Sequence, residues 1–260
     1  MKPILVTGGT GRLGRCVTAQ LAQAGHRVRV FSRHPHAAGN GIEYATGDLA
    51  TGEGIAAALD GVAAVVHCAS STKGDAETTR ILVQATAAAD KAAADKEVHL
   101  VFISIVGADR VSYRYFQSKV AAEAVVTGSG LPWTMLRATQ FYGYCLDGAR
   151  KMARLPVVPV PAGFKVQPVD ERDVAARLVE LAAGPPAGLV ADIAGPQVDT
   201  YAGMLRVYVK ASRRHRPVIE IPMPGTAAIR SGALLPDPRS GSEPVTGRRT
   251  WAEFLGEKLT

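Results

Sequence analysis

The chain has 260 residues, 47% of them hydrophobic and 20% charged, and a formal charge of +7. That is apolar material for one sizeable core over residues 1–260 and short for two independent domains, and it excludes collagen-like and disordered classes. Cys16, Cys68 and Cys145 are spaced too widely for a disulfide framework or a zinc site, so free thiols in a reducing, cytoplasmic setting are expected. The apolar stretch before Gly8 is too short for a signal peptide, and no run of about 18 apolar residues predicts a membrane span.

Short apolar runs alternate with helical patterns up to about residue 140. PILVT (3–7) reads as a strand, and Leu13, Val17, Leu21 and Ala24 then fall at helical spacing. Further strands are expected at 26–32, 42–48 and 63–70, the last preceded by an Ala-rich segment. A long helix at 75–96 leads to HLVFISIVG (99–107), the most continuous apolar strand. Residues 115–127 form a helix closed by Gly128 and Gly130, and LPWTMLR (131–137) is a sixth strand.

Segment 151–164 carries three prolines and reads as loop or edge structure. Asp170 is placed to cap a helix through Val174, Leu178 and Leu181, and LVADIAG (189–195) reads as another strand. A helical pattern, a Pro/Gly/Ser-rich stretch (217–247) and a short helix around Trp251, Phe254 and Leu255 complete the chain. Buried strands joined by helices predict an α/β fold: a Rossmann-type doubly wound parallel sheet with a small C-terminal substrate-binding region. Residues 1–140 and 166–195 would form the dinucleotide-binding core, and 141–165 and 196–260 the substrate-binding additions.

Thr7-Gly8-Gly9-Thr10-Gly11-Arg12-Leu13-Gly14 lies where the first strand meets the first helix. Glycines let main-chain N–H groups approach a pyrophosphate, and the helix start adds a positive dipole end. That context marks a nucleotide turn. NAD sites usually place a carboxylate at the end of the second strand. Here Ser32-Arg33-His34 stand there. Arg33 can pair with a 2′-phosphate, with Ser32 and Arg12 nearby, so NADP is expected in preference to NAD. Arg33 as ordinary surface charge is the alternative. Asp48, followed by Leu49, meets the adenine edge or caps a helix, while Ala69, Ser70 and Ser71 border the crevice at a strand's carboxyl end.

Tyr115 and Lys119 form a YxxxK pair, four residues apart on one helix face. An ammonium beside a tyrosine lowers its pKa from about 10, so the phenol can exchange a proton while hydride moves. Lysine could also hold ribose hydroxyls. The alternative is a packing Tyr115 with an exposed Lys119. His67 is expected to be an interior histidine, and no His, Cys or carboxylate cluster suggests a metal.

TGGTGRLG, ISIVGADR (103–110), YFQSK, LPWTMLRATQF (131–141) and VQPVDERDVAARLVELA (166–182) resemble an atypical short-chain dehydrogenase/reductase of the NmrA-like, NAD(P)H-binding branch. The resemblance implies that 138–142, including Ala138 and Thr139, and the 164–168 loop lie near the nicotinamide. It also implies a catalytic Ser or Thr after the fifth strand. Ser104 is present, but Ile105 and Val106 occupy the positions where that hydroxyl often lies.

Gln140, Phe141, Tyr142 and Tyr144, with Phe164 and Gln167, suit a flat apolar or aromatic ligand, or else are core packing. The leading expectation is an NADPH-dependent reductase of a small carbonyl, enone or quinone. A second is a non-catalytic NAD(P)-binding redox sensor of NmrA type. Direct nucleic-acid binding through the basic run Arg213–Arg216 is a third reading, with no zinc-finger or aromatic-basic signature beside it.

Overall fold

Near-continuous apolar runs bury both faces of a strand, which suits a parallel sheet. The computed structural model describes residues 2–70, 74–92, 98–237 and 243–259. In chain order its elements are β1 (Ile4–Thr7), α1 (Arg12–Gln23), β2 (Val28–Ser32), β3 (Ile42–Thr46), α2 (Ile55–Leu59), β4 (Ala64–His67), α3 (Asp75–Ala92), β5 (His99–Ile105), α4 (Arg114–Thr127) and β6 (Trp133–Ala138). There follow α5 (Tyr142–Met152), β7 (Val158–Pro161), β8 (Lys165–Val166), α6 (Glu171–Ala183), β9 (Gly188–Leu189) and β10 (Ile193–Ala194). The last are β11 (Asp199–Thr200), α7 (Tyr201–Ala211), β12 (Val218–Ile221), α8 (Ala227–Arg230), β13 (Val245–Thr246) and α9 (Trp251–Leu259).

The chain forms two compact units, residues 1–104, 112–136 and 175–190 in the first, and 105–111, 137–174 and 191–260 in the second. In the first, the strand order is β3-β2-β1-β4-β5-β6, with β9 beside β6. β1 pairs in parallel with β2 and β4, β2 with β3, and β4 with β5. The order reverses between β1 and β4, and in such sheets the crevice at that switch point takes the ligand. Leu5, Phe31, Leu59, Val65, Leu82, Leu100, Phe102 and Met135 are among the residues of its core.

The first turn of α1 comes close to the end of β1. A Cβ on Gly14 would stand 2.1 Å from the Gly8 carbonyl oxygen. Gly8 has φ +67, and a Cβ there would lie 2.6 Å from the Ala69 nitrogen at the end of β4. Both glycines therefore answer to close backbone packing, and Gly8 also to a left-handed conformation.

In the second unit, the last residue of β6 pairs with β10, which pairs in parallel with β13. The rings of Tyr142, Trp251 and Phe254 pack together, and the Trp251 indole N–H donates to the Met204 carbonyl at 3.1 Å.

Two elements differ from the sequence reading. Helix α5 runs through Gly143 and Gly148, residues that discourage a helix. Its opening N–H, on Tyr142, donates to the Val169 carbonyl at 2.9 Å and the next, on Gly143, to Glu171 Oε1 at 3.1 Å, so a side chain 28 residues on from Gly143 caps it. The 189–195 segment is two short strands, β9 and β10, rather than one. Within 151–164, β7 pairs in parallel with β12 in a two-stranded sheet, which is the expected edge structure. The end of the expected 75–96 helix lies partly outside the described residues.

Gly14→Ala should lower the unfolding free energy by about 1–3 kcal/mol, because a methyl group has to displace backbone rather than a flexible side chain. Urea denaturation measures this; an unchanged midpoint would mean that the turn relaxes freely.

Candidate functional site

Helix α1 opens on Gly11, with no side-chain cap and no acidic residue in its first turn. Helix starts usually recruit a Ser, Thr, Asp or Asn side chain. One without it, carrying a positive dipole end, fits an anionic pyrophosphate. The turn is held by Gly11 N–H donating to the Gly8 carbonyl at 2.9 Å. Thr10, Gly11 and Arg12 are exposed, whereas Gly9, Leu13 and Gly14 are buried. The glycine run thus presents backbone and a guanidinium at the carboxyl end of β1.

Thr7 is buried, with its hydroxyl 2.6 Å from His67 Nδ1, and His67 Nε2 lies 3.2 Å from the Thr79 hydroxyl. Burial, helped by the Lys119 charge and opposed by that of Asp75, pushes the His67 pKa down to about 3. The ring is a neutral, interior one bonded on both nitrogens, as the sequence suggested.

At the end of β2, Ser32 is buried and Arg33 exposed. The Ser32 oxygen accepts from His34 N–H at 3.2 Å and lies 3.2 Å from His36 Nε2. Asp48 Oδ1 accepts from Ala50 N–H at 2.9 Å, a turn-closing contact of the capping kind, and Leu49 is partly buried. Ala69 is partly buried and Ser70 exposed after β4; Ser71 lies outside the described residues.

Tyr115 and Lys119 sit one turn apart on α4. Lys119 is 3% exposed and forms an ion pair with Asp75 at 2.9 Å. The same carboxylate oxygen, Asp75 Oδ2, accepts from Ser70 Oγ at 3.0 Å. The partly exposed Tyr115 phenol feels both Ser70 and Asp75. Desolvation pushes the Tyr115 pKa up, Asp75 pushes it further up, and the Ser70 contact partly opposes them. That direction is opposite to the expected lowering, because burial of the phenol is the largest influence and the charge acting beside it is the Asp75 carboxylate. Asp75 went unrecognised in the sequence; only its place at the start of an acidic helix turn hints at it, and nothing local points to a lysine 44 residues away.

Ser104, on β5, is 1% exposed, and its hydroxyl has no hydrogen-bond partner among the described residues. Orphaned buried hydroxyls are rare and point to an unrecorded partner. The Cys68 thiol, just after β4, is pushed up to about 12, chiefly by burial, and is no nucleophile at neutral pH. Cys68 and Cys145 are free thiols, and the Cys16 thiol lies 3.7 Å from the Arg12 carbonyl oxygen.

In the second unit, Ala138 and Thr139 are buried, and the Thr139 hydroxyl donates to the Gln167 carbonyl at 2.6 Å. Gln140 directs its amide nitrogen toward the Leu234 carbonyl at 3.5 Å, leaving its buried Oε1 without a partner. Phe141 stacks on Tyr144, which is 63% exposed, and Phe164 is partly buried. Tyr142 is 2% exposed and donates to the Arg249 carbonyl at 3.0 Å. The structure therefore places Tyr142 in the core rather than on a ligand-facing wall. The described residues contain no group of three or more metal-ligating side chains and no helix long and apolar enough to cross a membrane.

A family model described as NAD(P)H-binding matches residues 8–185. Over 187 residues the chain is 33% identical to a (4-alkanoyl-5-oxo-2,5-dihydrofuran-3-yl)methyl phosphate reductase of Streptomyces griseus, covering 70% of this chain and 63% of that protein. It is 29% identical over 246 residues to a ceramide reductase of Caulobacter vibrioides, covering 89% and 77%. The chain thus spans less than two thirds of the Streptomyces relative's length. Its fold is similar to that of an NADPH-dependent quinone oxidoreductase from Escherichia coli solved with NADPH, with TM-score 0.80, 21% identity, and 99% and 100% of the two chains covered.

Asp75→Asn or Lys119→Met alone should each cost about 3–5 kcal/mol, since either leaves a charge buried without its partner. The double substitution should recover a large part of that cost. Urea denaturation of the four proteins completes the cycle; simply additive costs would show that the pair is uncoupled.

Proposed function

The chain belongs to the NAD(P)H-binding family, whose model spans residues 8–185, and from that premise we propose that it is an NADPH-dependent oxidoreductase reducing a small carbonyl, enone or quinone. The observation that carries this reading is the glycine turn, which brings an uncapped helix start to the sheet's switch point. Arg33, exposed at the end of β2 with no carboxylate beside it in sequence, supports selection of a 2′-phosphate.

When bound, the reduced dinucleotide supplies a hydride to the substrate carbon. Tyr115 gives its phenolic proton to the substrate oxygen. A phenol, with an ordinary pKa of about 10, is protonated at neutral pH, the form a donor needs, and the 37% exposure of Tyr115 lets solvent return the proton. Lys119 offers Asp75 one of three ammonium hydrogens and keeps two for the ribose hydroxyls. Ser104 offers its unpartnered hydroxyl to the cofactor or the substrate carbonyl. The stacked Phe141 and Tyr144 support a flat apolar substrate, as do structural neighbours named as quinone and triphenylmethane dye reductases. The ceramide reductase relative acts on a different class, so the substrate assignment rests on these rings.

A dinucleotide sensor without turnover is the second reading. The commitment of Lys119 to Asp75, with Ile105 and Val106 following Ser104, favours it.

Arg33→Ala should weaken NADPH binding about tenfold or more while leaving NADH unchanged, as loss of one charge-assisted phosphate contact requires. Isothermal calorimetry decides, and an equal effect on both dinucleotides would remove Arg33 from phosphate recognition. Tyr115→Phe should cut turnover of NADPH with a quinone panel by about 100-fold or more with the NADPH dissociation constant unchanged. Tight dinucleotide binding by the parent protein with no turnover on any acceptor would instead establish the sensor.

A further inference from the structure

The basic run at 213–216 has no part in the proposed reaction, yet the second unit builds a cavity around it. Arg150 and Arg154, from the end of α5 and just beyond it, stand with Arg213 and Arg214, just after α7, around a cavity of about 890 Å³. Its remaining lining is largely apolar, with Tyr208 from α7 and Ala252, Leu255 and Leu259 from α9. No carboxylate lines it among the described residues. Arg27, Arg29, Arg80, Arg110, Arg137, Arg172, Arg177, Arg206 and Arg249 have acidic partners, whereas Arg15, Arg33, Arg114, Arg216, Arg230 and Arg248 make no ion pair among the described residues but do not line this cavity. The four cavity arginines make no ion pair among the described residues; Arg214 donates to the Ala153 carbonyl at 3.0 Å.

Part of this arrangement serves the helices. Arg214 satisfies a carbonyl at the end of α5, and cations near helix C-termini are favourable. Arg150, in the last turn of α5, and Arg154 and Arg213, just beyond helix ends, are favoured by the same dipoles, yet none of the four has a carboxylate partner among the described residues. Arg213 also has φ +53, at a position after a helix that glycine usually fills. Holding an arginine in that left-handed conformation costs about 1–2 kcal/mol. Like charges crowded round one concavity repel each other as well, so the cluster is set up for a counter-anion.

We propose that this cavity binds a soluble, single-chain phosphate monoester. Its phosphate would lie among Arg150, Arg154 and Arg213, whose guanidinium forks match phosphate oxygens in pairs. Its apolar chain would lie over Ala252 and Leu259, the apolar lining residues of α9 that keep exposed surface. The rim selects charge, and the floor excludes small inorganic anions as the best ligand. This site does not depend on the reductase reading.

Octyl phosphate is the probe, titrated calorimetrically into the full chain. It should bind saturably at one site, about tenfold or more tighter than inorganic phosphate, because burial of the chain adds to the charge contacts. Octyl glucoside, with the same tail and no charge, should not bind. Arg150→Gln with Arg213→Gln should weaken octyl phosphate about tenfold or more, with the thermal midpoint and NADPH affinity of the parent protein retained. Arg213→Gly, which relieves the backbone but removes the charge, should weaken binding while raising stability. Equal affinity for inorganic phosphate, binding of octyl glucoside, or undiminished binding by the double variant would overturn the proposal. So would binding to phosphatidic acid vesicles or duplex DNA without binding to octyl phosphate, which would assign the cluster to a membrane surface or a nucleic acid.

Discussion

The first unit is organised around one steric constraint, the approach of the α1 start to the end of β1. No Cβ fits between Gly14 and the Gly8 carbonyl, and none fits between Gly8 and the start of the segment after β4. With both side chains missing, the helix start stands at the point where the strand order reverses. A helix start carries a positive dipole end and main-chain N–H groups without intrahelical partners, which suit an anion. The same packing fixes where Arg33 and Ser70 stand, since each follows a strand paired to β1.

A buried ion pair gives the neighbouring polar groups their character. Asp75 at the start of α3 and Lys119 on α4 are both almost fully buried, so neither charge is tolerable without the other. Burial sets the upward direction of the Tyr115 shift; the Asp75 carboxylate adds to it and Ser70 opposes it. A tyrosine held protonated suits proton donation in a reduction better than abstraction in an oxidation. His67 feels the same pair and, being buried, stays neutral and structural.

The second unit distributes charge differently. Its carboxylates are largely occupied in capping and tying elements: Asp170 bonds to Arg172, Asp173 to Arg249, and Glu171 to the start of α5. The arginines around the cavity were left out of that arrangement. Four exposed guanidiniums around one concavity repel one another, and that repulsion is the physical basis for assigning the cavity an anionic ligand.

Much of the architecture was legible in the chain itself. Six strands, the long helices and the glycine turn follow from local periodicity and from the backbone freedom of glycine, which act over a few residues. The interior role of His67 and the edge character of 151–164 were legible for the same reason. What tertiary structure alone decided involves partners far apart in sequence. Helix α5 exists although its glycines argue against it, because Glu171 caps it. Tyr142 belongs to the core because Trp251 and Phe254, more than a hundred residues on, close over it. Lys119 faces Asp75, and Arg150 meets Arg213, only once the helices pack. Local patterns record which face of an element is apolar; they do not record which charge will lie opposite when water is excluded, and that opposition determines the chemistry of a site.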